Sequence, residues 1–165
     1  MGFNARYLSL ILVLAVAFVS GLACGNPDSG TFEDVLVVRV IDGDTVELEN
    51  GERVRYLGID TPETVHPDKP VECYGPEASE RNKLLVEGKR VRLLRDGPDR
   101  DSYDRLLRYV FVGGTFVNGD LVWGGYAYAR SYGDVPLLYQ TLVQLERSAR
   151  EGGRGLWKVC GQTDG

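Results

Sequence analysis

The stretch Val35-Leu36-Val37-Val38-Arg39-Val40-Ile41, Asp42-Gly43, Thr45-Val46-Glu47-Leu48-Glu49, Asn50-Gly51, Glu52-Arg53-Val54-Arg55-Tyr56-Leu57-Gly58-Ile59 decides the fold class. Its first segment is β-branched and apolar, and the next two alternate in the period of a half-buried strand. Asp42-Gly43 carries the signature of a type I′ hairpin turn, and Asn50-Gly51 marks a second hairpin. Three strands joined by tight turns make a meander. The 21 glycines and 7 prolines of the chain suit such short, turn-linked strands better than a helical bundle.

Downstream, the proline-rich loop from Asp60 to Gly75 leads into a predicted helix over Pro76 to Glu87. Proline stands at its first position, Glu77 is acidic in the first turn, and Gly88 terminates it. Val91-Arg92-Leu93-Leu94 and Leu107-Arg108-Tyr109-Val110-Phe111-Val112 are two further strands across a charged loop. Asn118 is placed to cap a short helix through Trp123. Asp134-Val135-Pro136 opens a last helix, in which Leu138, Leu142, Leu145 and Ala149 share a face and Gly152-Gly153 closes the element. Five strands with a helix between the third and fourth follow the order of a five-stranded OB-fold barrel, a mainly β (α+β) domain with three helices. The pattern by itself also permits another small α+β barrel.

At 165 residues the chain supports one domain with a real core. Its 43% hydrophobic and 26% charged residues describe a globular protein. Residues 1–23 are set apart as a leader. Arg6 gives a basic start, Leu8 to Val19 is apolar apart from Ser9, and Ser20-Gly21-Leu22-Ala23-Cys24-Gly25 supplies small residues for cleavage. The run is shorter than the ~20 residues of a spanning helix. Leu22-Ala23-Cys24 is similar to the end of a bacterial lipobox, so Cys24 is the expected lipidation site, with free secretion the outcome if it is not modified. Residues 24–34 then form a polar tether, 35–158 the folded domain and 159–165 a tail. The expected location is the outer side of the cell membrane.

Setting Cys24 aside leaves Cys73 and Cys160, an even pair that implies a disulfide in an exported protein. Arg6 is the only charged residue in the leader, so the mature part is more acidic than the −5 of the whole chain. That balance argues against tight, non-specific coating of a duplex. It leaves open phosphodiester chemistry at a locally positive cleft.

His66 is the single histidine, in a proline-flanked loop where solvent exposure is the expected role, and two-histidine mechanisms are excluded. No Cys/His cluster has zinc spacing, and Asp42-Gly43-Asp44 lacks the later ligands of an EF-hand. Carboxylates remain. Asp44 follows the first turn and Asp60 ends the third strand, positions that lie at the same end of a meander. Together with the Thr61 carbonyl they suit a hard cation, calcium or magnesium alike. Pro62 stiffens the turn that aims Glu63, and Arg55 lies on the same strand as Asp60.

These residues sit in longer strings that resemble one family. The strings are Val40-Ile41-Asp42-Gly43-Asp44-Thr45-Val46, Arg55-Tyr56-Leu57-Gly58-Ile59-Asp60-Thr61-Pro62-Glu63-Thr64, His66-Pro67, Tyr74-Gly75-Pro76-Glu77-Ala78-Ser79, Asp101-Ser102-Tyr103-Asp104-Arg105 and Gly155-Leu156-Trp157. In order and spacing they resemble the thermonuclease, or staphylococcal-nuclease-like, family over about Val35 to Trp157. The resemblance implies an OB barrel and a calcium-dependent nuclease that cleaves DNA and RNA, single- or double-stranded, by endo- and exonucleolytic attack, leaving 3′-phosphates. It implies Asp44, Asp60 and Thr61 as Ca2+ ligands and Glu63 as the residue that orients or deprotonates the attacking water. Arg55 and Arg105 would grip the phosphate, and Tyr103 would contact substrate. A monomer is expected.

Two positions depart from the family pattern: Asp104 stands where glycine is usual, and Ser102 where lysine is. A carboxylate beside Arg105 is expected to compete for its guanidinium. Tyr126, Tyr128 and Tyr132 all lie near the expected nucleotide contacts. Two other readings compete: a non-catalytic OB-fold module that binds nucleic acid without turnover, and a PD…ExK site over Pro67-Asp68 and Glu87-Gly88-Lys89. The second is disfavoured because Gly88 breaks the segment that would have to be one strand.

Overall fold

The computed structural model describes residues 33–64, 70–133 and 135–160. The leader, Cys24, residues 24–32 of the tether, His66, Pro67-Asp68, Asp134 and residues 161–165 of the tail lie outside the described residues.

Strands β1 (Glu33–Val40), β2 (Thr45–Leu48) and β3 (Arg53–Tyr56) form the expected meander. β5 (Arg90–Arg100) pairs with β1 and with β6 (Leu106–Val112), and β6 lies parallel to β3. This last pairing closes the sheet, so the ring β3-β2-β1-β5-β6 is a five-stranded barrel. Closure removes the open edges a flat sheet would leave. The barrel is filled by alternate side chains, among them Val37, Val46, Leu48, Val54, Tyr56, Val91, Leu93 and Tyr109. In β1 a bulge between Val37 and Arg39 shifts the parity, which returns Val40 to the interior after Val35 and Val37.

Helix α1 (Gly75–Val86) stands between the third and fourth barrel strands, with proline in its first turn and Gly88 in the left-handed region beyond its end. α2 (Val117–Trp123) and α3 (Tyr139–Glu151) pack Leu121, Val122 and Leu142 onto the core.

Several elements differ from expectation. The third strand stops at Tyr56. Gly58 (φ 78°) turns the chain into a separate short strand, β4 (Ile59–Asp60), which pairs with β8 (Tyr128–Ala129) and not with the barrel. Asp42-Gly43 is not a type I′ turn, since neither residue has positive φ. Asn118 caps nothing. It is fully buried inside α2, where its carbonyl accepts from Val110 N–H (2.9 Å) and its amide donates to Leu57 O (2.9 Å).

Helix α3 starts at Tyr139 and not at Val135-Pro136. The Leu137 and Leu138 amides are taken by Asp96 and the Tyr109 hydroxyl, partners outside any helix. Besides β4 and β8, two short elements escape sequence periodicity, β7 (Thr115–Phe116) and a fourth helix, α4 (Leu156–Val159). The expected Cys73–Cys160 disulfide is present and ties the end of α4 to the segment before α1.

Candidate active site

The antiparallel β2–β3 register sets Thr45 opposite Arg55, and Tyr56 N–H donates to Asp44 O (2.9 Å). The start of β2 and the end of β3 therefore meet at one end of the barrel. Gly58 then bends the chain so that β4 delivers Asp60 and Thr61 to the same place. A polar cleft of about 140 Å³ results, lined by Asp42, Asp44, Arg55, Asp60, Thr61, Pro62, Glu63 and Arg105. Five of these side chains, and the Thr61 main chain, are the groups the sequence assigns to chemistry.

Asp44 is almost wholly buried, and both of its oxygens are engaged. One accepts from the Thr61 amide (2.8 Å) and hydroxyl (3.0 Å); the other takes the Thr45 hydroxyl (3.2 Å) and pairs with Arg55. Such charge-assisted bonds offset the cost of burying a carboxylate. The same Arg55 guanidinium reaches Asp60 at 2.6 Å, so it bridges the two carboxylates. Gly43 lets this cluster form. A β-carbon there would lie 2.6–2.8 Å from the Thr61 side chain, so the position needs glycine for space.

Asp42 is the group that sequence reasoning treated only as a turn former. Burial raises its pKa; Arg55 works against that rise and the Glu63 charge adds to it. Its neighbour Asn82 explains its placement. This fully buried asparagine on α1 donates to Asp42 O (3.1 Å) and accepts from the Tyr56 hydroxyl (2.9 Å). The Asp-Gly-Asp spacing at a strand end was the available signal.

Arg105 enters just before β6. Its Nε and its backbone N–H donate to Asp101 at 2.7 and 3.0 Å, and Nη2 lies 2.7 Å from the same carboxylate. Burial raises the Asp101 pKa, but these bonds and one from Tyr103 N–H outweigh it, and the net shift is downward. Asp101, not Asp104, is thus the carboxylate that holds Arg105. Asp104 points to solvent and lies 3.5 Å from Arg100. Its φ of 63° accounts for its place at a position where glycine is usual, since aspartate is among the few residues that tolerate the left-handed region.

Tyr103 is exposed, with the Arg105 guanidinium 5.3 Å from its ring centre. A wider cavity beside the cleft is lined by Arg55, Arg105, Tyr103 and Tyr132. Of the three later tyrosines, Tyr132 lines this cavity. Tyr126 packs on Tyr74, and Tyr128 meets Trp157 edge-on. The Glu87-Gly88-Lys89 alternative fails on geometry: Glu87 is the C-cap of α1, and Lys89 Nζ donates to the helix carbonyls of Leu84 and Leu85.

The family profile described as "Staphylococcal nuclease homologue" matches residues 53–159. The chain is 36% identical over 160 residues to the thermonuclease of Staphylococcus intermedius, covering 90% of this chain and 95% of that protein. It is 32% identical over 159 residues to the thermonuclease of Staphylococcus hyicus, covering 91% and 92%. Endonuclease YncB of Bacillus subtilis (strain 168) is 39% identical over 133 residues, 78% of this chain and 63% of that protein.

The chain belongs to the staphylococcal nuclease homologue family. As a family member it is a phosphodiester-hydrolysing nuclease, and its cleft can be tested against a divalent cation. Four carboxylates (Asp42, Asp44, Asp60, Glu63) face two guanidiniums there, an excess of negative charge that would repel a phosphodiester. The donors are hard oxygens, so they fit a cation of the calcium or magnesium class. Among the described residues, however, no three such side chains converge on one point. The bridging Arg55 stands between Asp44 and Asp60, and must turn away for both to hold an ion.

Proposed function

We propose that this nuclease is calcium-dependent and cleaves both DNA and RNA, single- or double-stranded, by endo- and exonucleolytic attack that leaves 3′-phosphates. The observation that carries the reading is the cleft itself, where Asp44, Asp60, Thr61, Glu63, Arg55 and Arg105 line one small polar space. Asp44, Asp60 and Thr61 would hold the cation, which supplies positive charge against the non-bridging phosphate oxygens. Arg55 and Arg105 stabilise the charge that builds on those oxygens during in-line attack. The planar guanidinium engages two oxygens at once, and its high pKa assigns it electrostatic work in preference to proton donation. Glu63 orients or deprotonates the attacking water. Tyr103 contacts the substrate beside Arg105.

The reading takes the protein to act as a monomer. Export, with a lipid anchor on Cys24 at the outer side of the cell membrane, completes the reading. The Cys73–Cys160 bond supports it, because disulfides persist in oxidising compartments.

The test is digestion of single-stranded DNA by the purified protein with calcium and with a chelator. Cleavage with calcium, lost on chelation and leaving 3′-phosphate ends, is expected. Binding of DNA without cleavage in either condition would establish the non-catalytic OB-fold module instead.

A further inference from the structure

The segment that carries Glu63 is fastened outside the cleft. Glu63 N–H donates to the Glu72 carboxylate (3.0 Å), and Glu72 N–H donates back to Glu63 O (2.9 Å). These two bonds, one to the Glu72 side chain and one between backbones, join residues nine apart. Glu72 O in turn accepts from Gly75 N–H (3.1 Å), at the start of α1. The same turn of α1 packs directly under the Glu63 segment. A β-carbon on Gly75 would lie 2.7 Å from Thr64 Cγ2, 3.0 Å from Glu63 O and 3.1 Å from Pro62 O.

The residue after Glu72 is Cys73, bonded to Cys160 at the end of α4. That helix is anchored in turn. Leu156 is buried, its N–H donates to Gly125 O (2.9 Å), and the backbones of Gly125 and Gly155 approach so closely that neither tolerates a β-carbon. An unbroken series of contacts therefore runs from the α2–β8 connection through α4 and the disulfide to Glu72, and from Glu72 to Glu63. The disulfide spans 87 residues of sequence, so nothing local could hold these two segments together.

We propose that Glu72 and the Cys73–Cys160 disulfide form a clasp that positions Glu63, so that turnover depends on the oxidised disulfide. The inference rests on the reading of Glu63 as the residue that addresses water. Glu72 is a positioning residue: it touches the Glu63 backbone and not the cleft. A carboxylate that must meet a water at hydrogen-bond distance is sensitive to shifts well below the span of one bond, and small misplacements are costly in rate.

The test uses the full chain, oxidised and after reduction by dithiothreitol, in which the disulfide takes two electrons and two protons to give two thiols. The variants Glu72→Ala, Glu72→Gln and Cys73→Ser/Cys160→Ser are compared with it. Single-stranded DNA cleavage in calcium reads kcat and KM, and amide hydrogen exchange reads the Glu63 N–H. Glu72→Ala and the reduced protein are expected to lose about tenfold in kcat, with KM within about twofold. Glu63 amide exchange should rise in both, and Glu72→Gln, which keeps an acceptor oxygen, should restore most of the rate.

An unchanged kcat and unchanged Glu63 exchange in Glu72→Ala and in the reduced protein would overturn the clasp. If the double serine variant does not fold, the two Glu72 variants decide. If the oxidised wild type fails to cleave, the nuclease mechanism falls, while Glu63 exchange still reports whether the clasp exists.

Discussion

Gly43→Ala probes how the cluster at the mouth of the barrel is assembled. The new methyl would sit 2.6 Å from Thr61 Oγ1, 2.7 Å from its Cβ and 2.8 Å from its Cγ2. Thr61 is β-branched and stiff, so it cannot swing one flexible end away; the residue must move as a whole. Overpacking of this kind costs about 1–3 kcal/mol. The movement also strains the two bonds from Thr61 to the buried Asp44 carboxylate, each of the charge-assisted type worth roughly 1.5–3 kcal/mol. Partial loss of one of them brings the expected total to about 3 kcal/mol, or roughly 10 °C in Tm for a domain of this size.

The control is Gly51→Ala. Gly51 has φ 83° and nothing near its absent β-carbon, so only the left-handed penalty applies, about 1 kcal/mol. Urea and thermal unfolding followed by circular dichroism give both values. If Gly43→Ala costs no more than Gly51→Ala, the steric account is wrong.

Three further outcomes are expected. Arg55→Ala removes the bridge between Asp44 and Asp60, so calcium should bind several-fold more tightly by titration calorimetry while turnover falls by about 10²–10³; weaker binding would show that Arg55 does not compete with the ion. Asp104→Gly relieves a left-handed aspartate that has no contact with the site, so stability should stay level or rise by up to about 1 kcal/mol, and kcat/KM should stay within about twofold of wild type. A large change in kcat/KM would return Asp104 to the mechanism.

The third concerns pH. The folded-state pKa of Asp101 lies below the ordinary 3.8, so its bonds add stability above that value and lose it as pH falls through the lower folded value. Asp101→Asn should therefore flatten the decline of the urea midpoint in acid below 3.8, and an unchanged slope would refute the assignment.

Much of the barrel was legible because alternation along Thr45–Leu48 and Arg53–Tyr56 depends only on which side chains can face the interior. Asp44 and Arg55 were legible for a related reason, since the start of β2 and the end of β3 meet at one end of the meander. Asp60 and Glu63, by contrast, reach it only through the bend at Gly58 and the pairing of β4 with the distant β8. Asp42 was missed, since its role depends on an asparagine 40 residues away. The partner of Arg105 was misread because adjacency along the chain suggested Asp104, whereas the turn sends that side chain to solvent and returns Asp101.

The sequence by itself determined the three-strand meander, the placement of Asp44 and Arg55 at one end of it, and the pairing of Cys73 with Cys160. These follow from local periodicity, turn chemistry and a cysteine count, each of which acts over a few residues or has a single solution. Only the tertiary structure decided that Gly43 serves space and not turn geometry, that Arg55 spans Asp44 and Asp60, and that Glu63 is fastened through Glu72 to the far end of the chain. Those facts depend on where segments distant in sequence come to rest, and packing sets that position after the local preferences have been satisfied.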